Sequence, residues 1–227
     1  MPLLGSLSSA ERAQLVRART ARVQTLTAVL AVSYTLATQR GAFDLVVNYA
    51  APDRLRFTAL KDTLLSTQIL FDVLLSPEGY RLAVRDATGD HTTQGSLEQF
   101  VREHPTLRAF FLLGEAFFVP GVDGQGRPPL VNEAATRLHT QLRSGARARW
   151  SARPETLEIT EACLRWQSAE DMVTLQLSYR DYRPIEEVYL PYRVYLSDRR
   201  LGFAAQSVVK AVDLNLPLVP GVFELTP

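Results

Sequence analysis

The chain has 227 residues, of which 25 are basic and 24 acidic, so its formal net charge is +1. A nearly neutral chain has no overall field that would attract nucleic acid. Hydrophobic residues make up 46% of the sequence, but charged residues interrupt them too often for a membrane-spanning helix. The length favours one domain over residues 1–227.

The sequence does not fix the compartment in which the protein works. Residues 1–7 lack the basic and then apolar pattern of a secretory signal. Two alternatives remain: the protein is cytoplasmic, or its targeting segment is not part of this chain. The single cysteine, Cys163, excludes an internal disulfide and metal sites that need paired cysteines.

A helix is predicted over residues 9–30. Ser8 and Glu11 have the spacing of a capping box, in which each side chain bonds the other residue's backbone amide. Apolar residues recur behind them at roughly helical spacing, which favours a helix packed on a sheet over a helix lying on a membrane. These residues are Leu15, Val16, Val23, Leu26 and Leu30.

From residue 33 the hydrophobic period changes to two, which is typical of half-buried strands. Strands are predicted at 41–50, 53–59, 67–75 and 79–86, separated by turns rich in proline, glycine and aspartate. Such strands form an antiparallel meander with one apolar and one wet face. The predicted apolar face consists of Phe43, Leu45, Val47, Tyr49, Leu55, Phe57, Ile69, Phe71, Val73, Leu82 and Val84.

The middle of the chain predicts a helical insert. Residues 96–118 place apolar side chains at helical spacing around more than one stripe, so this helix must lie against an apolar surface. A Gly/Pro-rich loop follows at 119–129, and residues 130–145 predict a short helix that ends at Gly145. Strands resume at 156–167, 171–182, 189–198 and 201–215, so one antiparallel sheet is interrupted once.

Residues with catalytic or metal-binding chemistry are scattered. His91, His104 and His139 lack metal-ligand spacing, and Cys163 lies in a predicted strand as a buried structural thiol. The glycines of 121–126 do not follow a strand and open a helix, as a nucleotide-binding loop requires. We therefore predict no enzyme, no cofactor and no metal. The apolar face either fills itself as a core or leaves a cavity for an apolar ligand, and the pattern alone does not decide between them.

Nearly the whole chain resembles the LolA/LolB-like carriers of the bacterial envelope, including uncharacterised lipoprotein relatives, and residues 9–30 and 96–118 correspond to the family's early helix and helical insert. The resemblance lies in a Tyr-x-x-Tyr strand end, a Leu-Pro strand and a last strand that runs into Leu-Asn and a later Phe. "APDRLRF" at 51–57 resembles an upstream strand start, although Ala51 stands where the family has an arginine. The matching C-terminal residues are Tyr179, Tyr182, Leu190, Pro191, Leu214, Asn215 and Phe223.

The resemblance implies a mainly β (α+β) fold, a half-open antiparallel β-barrel with an N-terminal helix and a helical lid insert. It implies a monomeric, non-catalytic carrier or acceptor of lipoprotein acyl chains or other lipids, in the periplasm or at the inner leaflet of the outer membrane. A scaffold that uses the fold to bind an envelope protein is the alternative. The implied ligand contacts are the predicted apolar face together with Phe110, Phe111 and Phe117 of the lid.

Leu64 and Leu65 lie in a predicted turn that should be polar. They either pack under a neighbouring loop or touch another surface. In acceptor members of the resembling family a leucine on the corresponding hairpin contacts the membrane, so the resemblance implies membrane contact for this pair.

Overall fold

The computed structural model describes residues 22–51, 54–63, 66–86, 89–104, 130–131, 137–141, 147–153, 158–167, 172–186 and 188–224, with single residues 8, 11, 14, 15, 18, 107 and 156. The described part contains a 13-stranded antiparallel sheet and a short helix, α1 (Leu97–Glu103). The strands are β1 (Thr25–Leu36), β2 (Gln39–Ala50), β3 (Arg54–Asp62), β4 (Thr67–Ser76), β5 (Gly79–Asp86), β6 (Gly89–Gly95), β7 (Leu130–Val131), β8 (Arg137–Gln141), β9 (Arg147–Ala152), β10 (Ile159–Gln167), β11 (Met172–Ile185), β12 (Val188–Asp198) and β13 (Phe203–Leu214).

The sheet consists of two meanders that join at its centre. Its order is β6-β5-β4-β3-β2-β1-β13-β12-β11-β10-β9-β8-β7, so β1 pairs with both β2 and β13. Strands β6 and β7 are the two edges, and the sheet does not close. The predicted antiparallel sheet is confirmed, and a single sheet holds all the described strands.

The predicted helix over 9–30 is wrong at its C-terminal end, because β1 starts at Thr25. Leu26 and Leu30 satisfy both a helical and a two-residue period, but the neighbouring Thr25, Thr27 and Val29 are β-branched and favour a strand. The described residues of the earlier segment, 11, 14, 15 and 18, are helical.

The predicted capping box is present at the start of that segment. The Ser8 backbone N–H donates to Glu11 Oε2 at 2.7 Å, and the Glu11 backbone N–H donates to Ser8 Oγ at 3.3 Å. Each side chain therefore satisfies a backbone amide that a helix N-terminus leaves without an internal partner.

The short helix predicted at 130–145 is also wrong. Its described residues form β7 and β8, in which Leu138 pairs with Val131 on one side and Trp150 on the other. Pairing with a neighbouring strand overrides the helical propensity of this segment. The adjacent strand β9 and the edge strand β6 were not predicted either.

Helix α1 coincides with the start of the predicted insert. Ser96 caps it by accepting a hydrogen bond from Gln99 N at 3.1 Å. The Phe100 ring is fully buried, 4.9 Å from the Tyr80 ring and 5.2 Å from the His104 ring, measured between centroids. The rest of the insert, including the predicted lid residues Phe110, Phe111 and Phe117, lies outside the described residues.

Candidate functional site

The sheet has one continuous apolar face, which we call the buried face. In the N-terminal meander, Leu45 pairs with Leu30 and Ala59, and Val47 pairs with Ala28 and Phe57. Directly paired residues point to the same side of a sheet, so these positions form rows across it. The predicted residues on this face are Phe43, Leu45, Val47, Tyr49, Leu55, Phe57, Phe71, Val73, Leu82 and Val84.

Ile69 is the exception, and its predicted place on the apolar face is wrong. The pairing of β3 with β4 shifts between Ala59 and Leu60, so that Ala59 pairs with Phe71 but Leu60 pairs with Ile69. The extra residue, Leu70, packs against the core instead. Because a bulge reverses the alternation beyond it, the Ile69 side chain is 47% exposed.

Leu64 and Leu65 lie outside the described residues, as do the three predicted lid phenylalanines. The hairpin on either side of the leucine pair is held by Thr63 N, which donates to Ser66 O at 2.8 Å. Thr67 Oγ1 also donates to Asp62 Oδ1 at 2.7 Å.

Four aromatic rings form a row across one end of the buried face. The centroids of Phe71 and Phe43 are 5.9 Å apart, those of Phe43 and Tyr34 5.9 Å, and those of Tyr34 and Phe203 6.4 Å. Tyr34 lies over Gly41, where an added Cβ would come within 2.5 Å of the ring. Sequence reasoning missed Tyr34 and Phe203, because the pairing of β1 with β2 brings Tyr34 beside Phe43, and the pairing of β1 with β13 brings Phe203 beside Tyr34.

The C-terminal meander continues the buried face with large apolar side chains. Trp150 pairs with Ala162, which pairs with Leu177, and all three are buried. Further buried members of this half are Ala148, Leu164, Val173, Leu175, Val194, Leu196 and Ala205. The buried face therefore extends across both meanders, whereas the residues predicted for it lie only in the N-terminal meander.

Two polar atoms in this wall are buried without a hydrogen-bond partner among the described residues, Trp150 Nε1 and the Tyr179 hydroxyl. Burial raises the pKa of the Tyr179 hydroxyl strongly, and the nearby Trp150 N–H opposes this only in part. The two side chains are therefore neighbours, but their atoms do not form a well-aligned hydrogen bond. Both groups are donors set in an otherwise apolar surface.

The five tyrosines of 178–203 differ in burial and in the groups they contact. Tyr179 is buried, and the half-buried Tyr182 donates its hydroxyl to Ile159 O at 2.7 Å. Tyr192 and Tyr195 instead carry arginine side chains over their rings, with guanidinium carbons at 4.3 Å and 5.4 Å from the centroids. Tyr189 is exposed.

The opposite side of the sheet, which we call the outer face, is polar. Cys163 lies here beside Arg149 and Gln176 and is half-buried, so its predicted burial as a core thiol is wrong. Among the described residues, no group of three or more His, Cys, Asp and Glu could hold a metal ion. In the same part of the chain, no helix has the length and hydropathy needed to cross a membrane.

The arrangement can bind an apolar molecule or form a core, and it offers three kinds of contact. Aliphatic side chains supply most of the buried face, the aromatic row borders one end, and two donors lie in the C-terminal half. Burial of apolar surface needs no reacting group.

No protein-family model matches this chain, and no curated protein matches it. Solved structures match it over nearly its whole length. A LolA superfamily protein from Nitrosomonas europaea superposes with a TM-score of 0.63 at 12% sequence identity, over 96% of this chain and 98% of that chain. The chain has a LolA-like fold.

Two further structures share the LolA-like fold. A DUF1329 family protein from Desulfovibrio piger superposes with a TM-score of 0.66 at 12% identity, over 95% of each chain. A domain from Vibrio parahaemolyticus, named for outer membrane lipoprotein sorting, superposes with a TM-score of 0.58 at 8% identity, over 95% of this chain and 97% of that chain. The predicted resemblance to LolA-like proteins is confirmed at the level of the fold.

Proposed function

We propose that this protein is a non-catalytic carrier or acceptor that holds the acyl chains of lipoproteins or other lipids against its buried face. The observation that carries the proposal is the continuous apolar wall across both meanders of a LolA-like sheet that does not close. A similar fold occurs in a domain named for outer membrane lipoprotein sorting. The predicted lid phenylalanines, Phe110, Phe111 and Phe117, belong to the proposed site.

The free energy of binding would come from hydrocarbon transfer alone. Each methylene moved from water to an apolar site contributes about 0.8 kcal/mol, which corresponds to about a fourfold gain in affinity. Affinity should therefore rise with acyl-chain length until the chain outgrows the site. The place of action that fits this cargo is the periplasm or the inner leaflet of the outer membrane, with Leu64 and Leu65 as membrane-contact residues.

Uptake of a fluorescent fatty acid tests the proposal, with unlabelled fatty acids of increasing length as competitors. Phe43→Asp places a charge in the aromatic row and should abolish uptake, because a carboxylate in an apolar site is costly. Ala42→Asp is the matched control, since Ala42 is the exposed neighbour on the outer face. Uptake that is equal in both variants, or independent of chain length, would contradict the proposal. Circular dichroism confirms that Phe43→Asp is folded, and Phe43→Ala replaces it if it is not.

The dense packing of the buried face favours a second candidate, a scaffold that binds an envelope protein. Leu45, Trp150 and Leu175 have no exposed surface, as expected of a filled core. A scaffold would take up no fatty acid of any length, and its binding to a partner would survive Phe43→Asp as long as the variant stays folded.

A further inference from the structure

Five exposed arginines lie on the outer face of β9–β12, and we call them the arginine face: Arg147, Arg149, Arg165, Arg180 and Arg193. The first three lie toward one end of these strands and the last two toward the other, because Arg165 pairs with Thr174. Strand pairing places two pairs of them directly side by side. Arg147 pairs with Arg165, and Arg180 pairs with Arg193. Like charges in directly opposite positions destabilise a sheet, so this arrangement does not serve the stability of the fold.

The arginine face gathers several cations that have no carboxylate partner. Two cations elsewhere on the outer face do have such partners: Arg56 pairs with Asp72, and Lys210 Nζ lies 2.6 Å from Asp44 Oδ2. By contrast, Arg147, Arg149, Arg165 and Arg193 form no ion pair with any described residue, and Arg180 stacks on Tyr195. Glu161 is the one acidic side chain on this face among the described residues of β9, β10 and β12.

A groove of about 550 Å³ runs across the arginine face. Arg149 and Arg165 line it together with one acidic residue, Glu161, and with four residues that carry hydroxyl groups: Ser151, Thr174, Ser178 and Tyr195. Guanidinium groups bind phosphate oxygens in a bidentate manner, and hydroxyl groups add further donors. The groove therefore has the chemistry of a site for a phosphate ester.

We propose that the arginine face docks on an anionic phospholipid bilayer, with a lipid phosphate seated in the groove between Arg149 and Arg165. The charges are spread over neighbouring strands without a fixed complementary pattern, as suits a fluid anionic surface. Met172 and Tyr189, in β11 and β12, are each 58% exposed, and tyrosine is enriched at membrane–water interfaces.

Sedimentation with lipid vesicles tests this assignment. The protein should bind vesicles that contain phosphatidylglycerol, bind pure phosphatidylcholine weakly, and be released by high salt. Each arginine near an anionic surface contributes about fivefold to affinity, so Arg149→Gln with Arg165→Gln should weaken binding about 25-fold. The control, Arg85→Gln with Lys210→Gln, removes the same charge from cations that already have carboxylate partners, and it should change binding less than twofold.

Three results would overturn the assignment. Equal losses in the two double variants would show that net charge alone drives vesicle binding. Binding of inorganic phosphate that is lost in Arg149→Gln with Arg165→Gln, without any binding to anionic vesicles, would identify a site for free phosphate. Failure to bind either anionic vesicles or inorganic phosphate would rule out a phosphate-binding role for the arginine face. Fatty-acid uptake should be unchanged by Arg149→Gln with Arg165→Gln, so this test and the test of the acyl-chain proposal can fail separately.

Discussion

Arg56 and Asp72 form an ion pair on the outer face, where their side chains are only 16% and 9% exposed. Arg56 Nε donates to Asp72 Oδ1 at 2.9 Å, and Arg56 Nη1 donates to the backbone oxygens of Val222 at 2.7 Å and Glu224 at 3.1 Å. The ion pair therefore links β3 to β4, and Arg56 also holds the C-terminal residues Val222 and Glu224 against these strands by hydrogen bonds.

We expect Asp72→Ala to lower the free energy of unfolding by about 1–3 kcal/mol, because it leaves a shielded guanidinium without its anion. Asp44→Ala removes a more exposed ion pair with Lys210 and should cost less than about 1 kcal/mol. Urea denaturation measures both values. Equal losses would show that the Arg56–Asp72 pair contributes no more than an exposed pair.

Tyr179 and Tyr182 should respond differently to loss of their hydroxyl groups. Tyr182→Phe removes a hydrogen bond to Ile159 O and should lower the free energy of unfolding by about 1 kcal/mol. Tyr179→Phe removes a buried hydroxyl with no partner among the described residues, so stability should stay the same or rise. Thermal and urea unfolding check the order of the two variants, and a larger loss for Tyr179→Phe would contradict it.

His104 should make stability depend on pH. Burial lowers the pKa of its imidazole below the ordinary value of 6.5, while the nearby Glu103 carboxylate opposes this shift. The unfolded chain then binds more protons than the folded one as pH falls below 6.5, so the contribution of His104 is full above that pH and is lost toward the folded pKa.

His104→Phe keeps a ring beside Phe100 and Tyr80 and removes the titration. We expect the unfolding free energy of the unchanged protein to fall relative to that of the variant as pH decreases from about 8 to about 5. A difference that stays constant over this range would contradict a lowered pKa.

Asn215, which follows the last residue of β13, should contribute to the stability of the fold. Its backbone has a φ of 55°, its Oδ1 accepts from Gln24 N at 2.8 Å, and its Nδ2 donates to Arg22 O at 2.9 Å. Asn215→Ala should cost about 2 kcal/mol or more, because it loses these bonds and strains the backbone. Asn215→Gly also loses the side-chain bonds but avoids the backbone strain. Its free energy of unfolding, measured by urea denaturation, should therefore lie between those of Asn215→Ala and the unchanged protein. Stability of Asn215→Gly equal to that of the unchanged protein would show that the side-chain bonds contribute nothing.

The sequence predicts the strands whose alternation is strong and unambiguous. Strand β3 alternates Arg54, Leu55, Arg56 and Phe57, and this pattern has no helical equivalent. Strand β1 was missed because Leu26 and Leu30 fit both periods, and only pairing with β2 and β13 decides between them.

Features that depend on the exact register between paired strands could not be predicted. The bulge at Leu70 turns Ile69 away from the buried face, and nothing in the local pattern marks it. The arginine face likewise exists only because register sets Arg147 beside Arg165. Apart from Ile69, the residues predicted for the apolar face of the N-terminal meander do lie on the buried face, because burial there follows simple alternation.

The most direct test of the central claim is lipid mass spectrometry on protein purified from cells and extracted under denaturing conditions. We expect an acyl lipid in near-stoichiometric amount with the unchanged protein and with Ala42→Asp, and its depletion in folded Phe43→Asp. Protein that carries no acyl lipid, and takes up none when it is added, would contradict the claim that the buried face holds acyl chains.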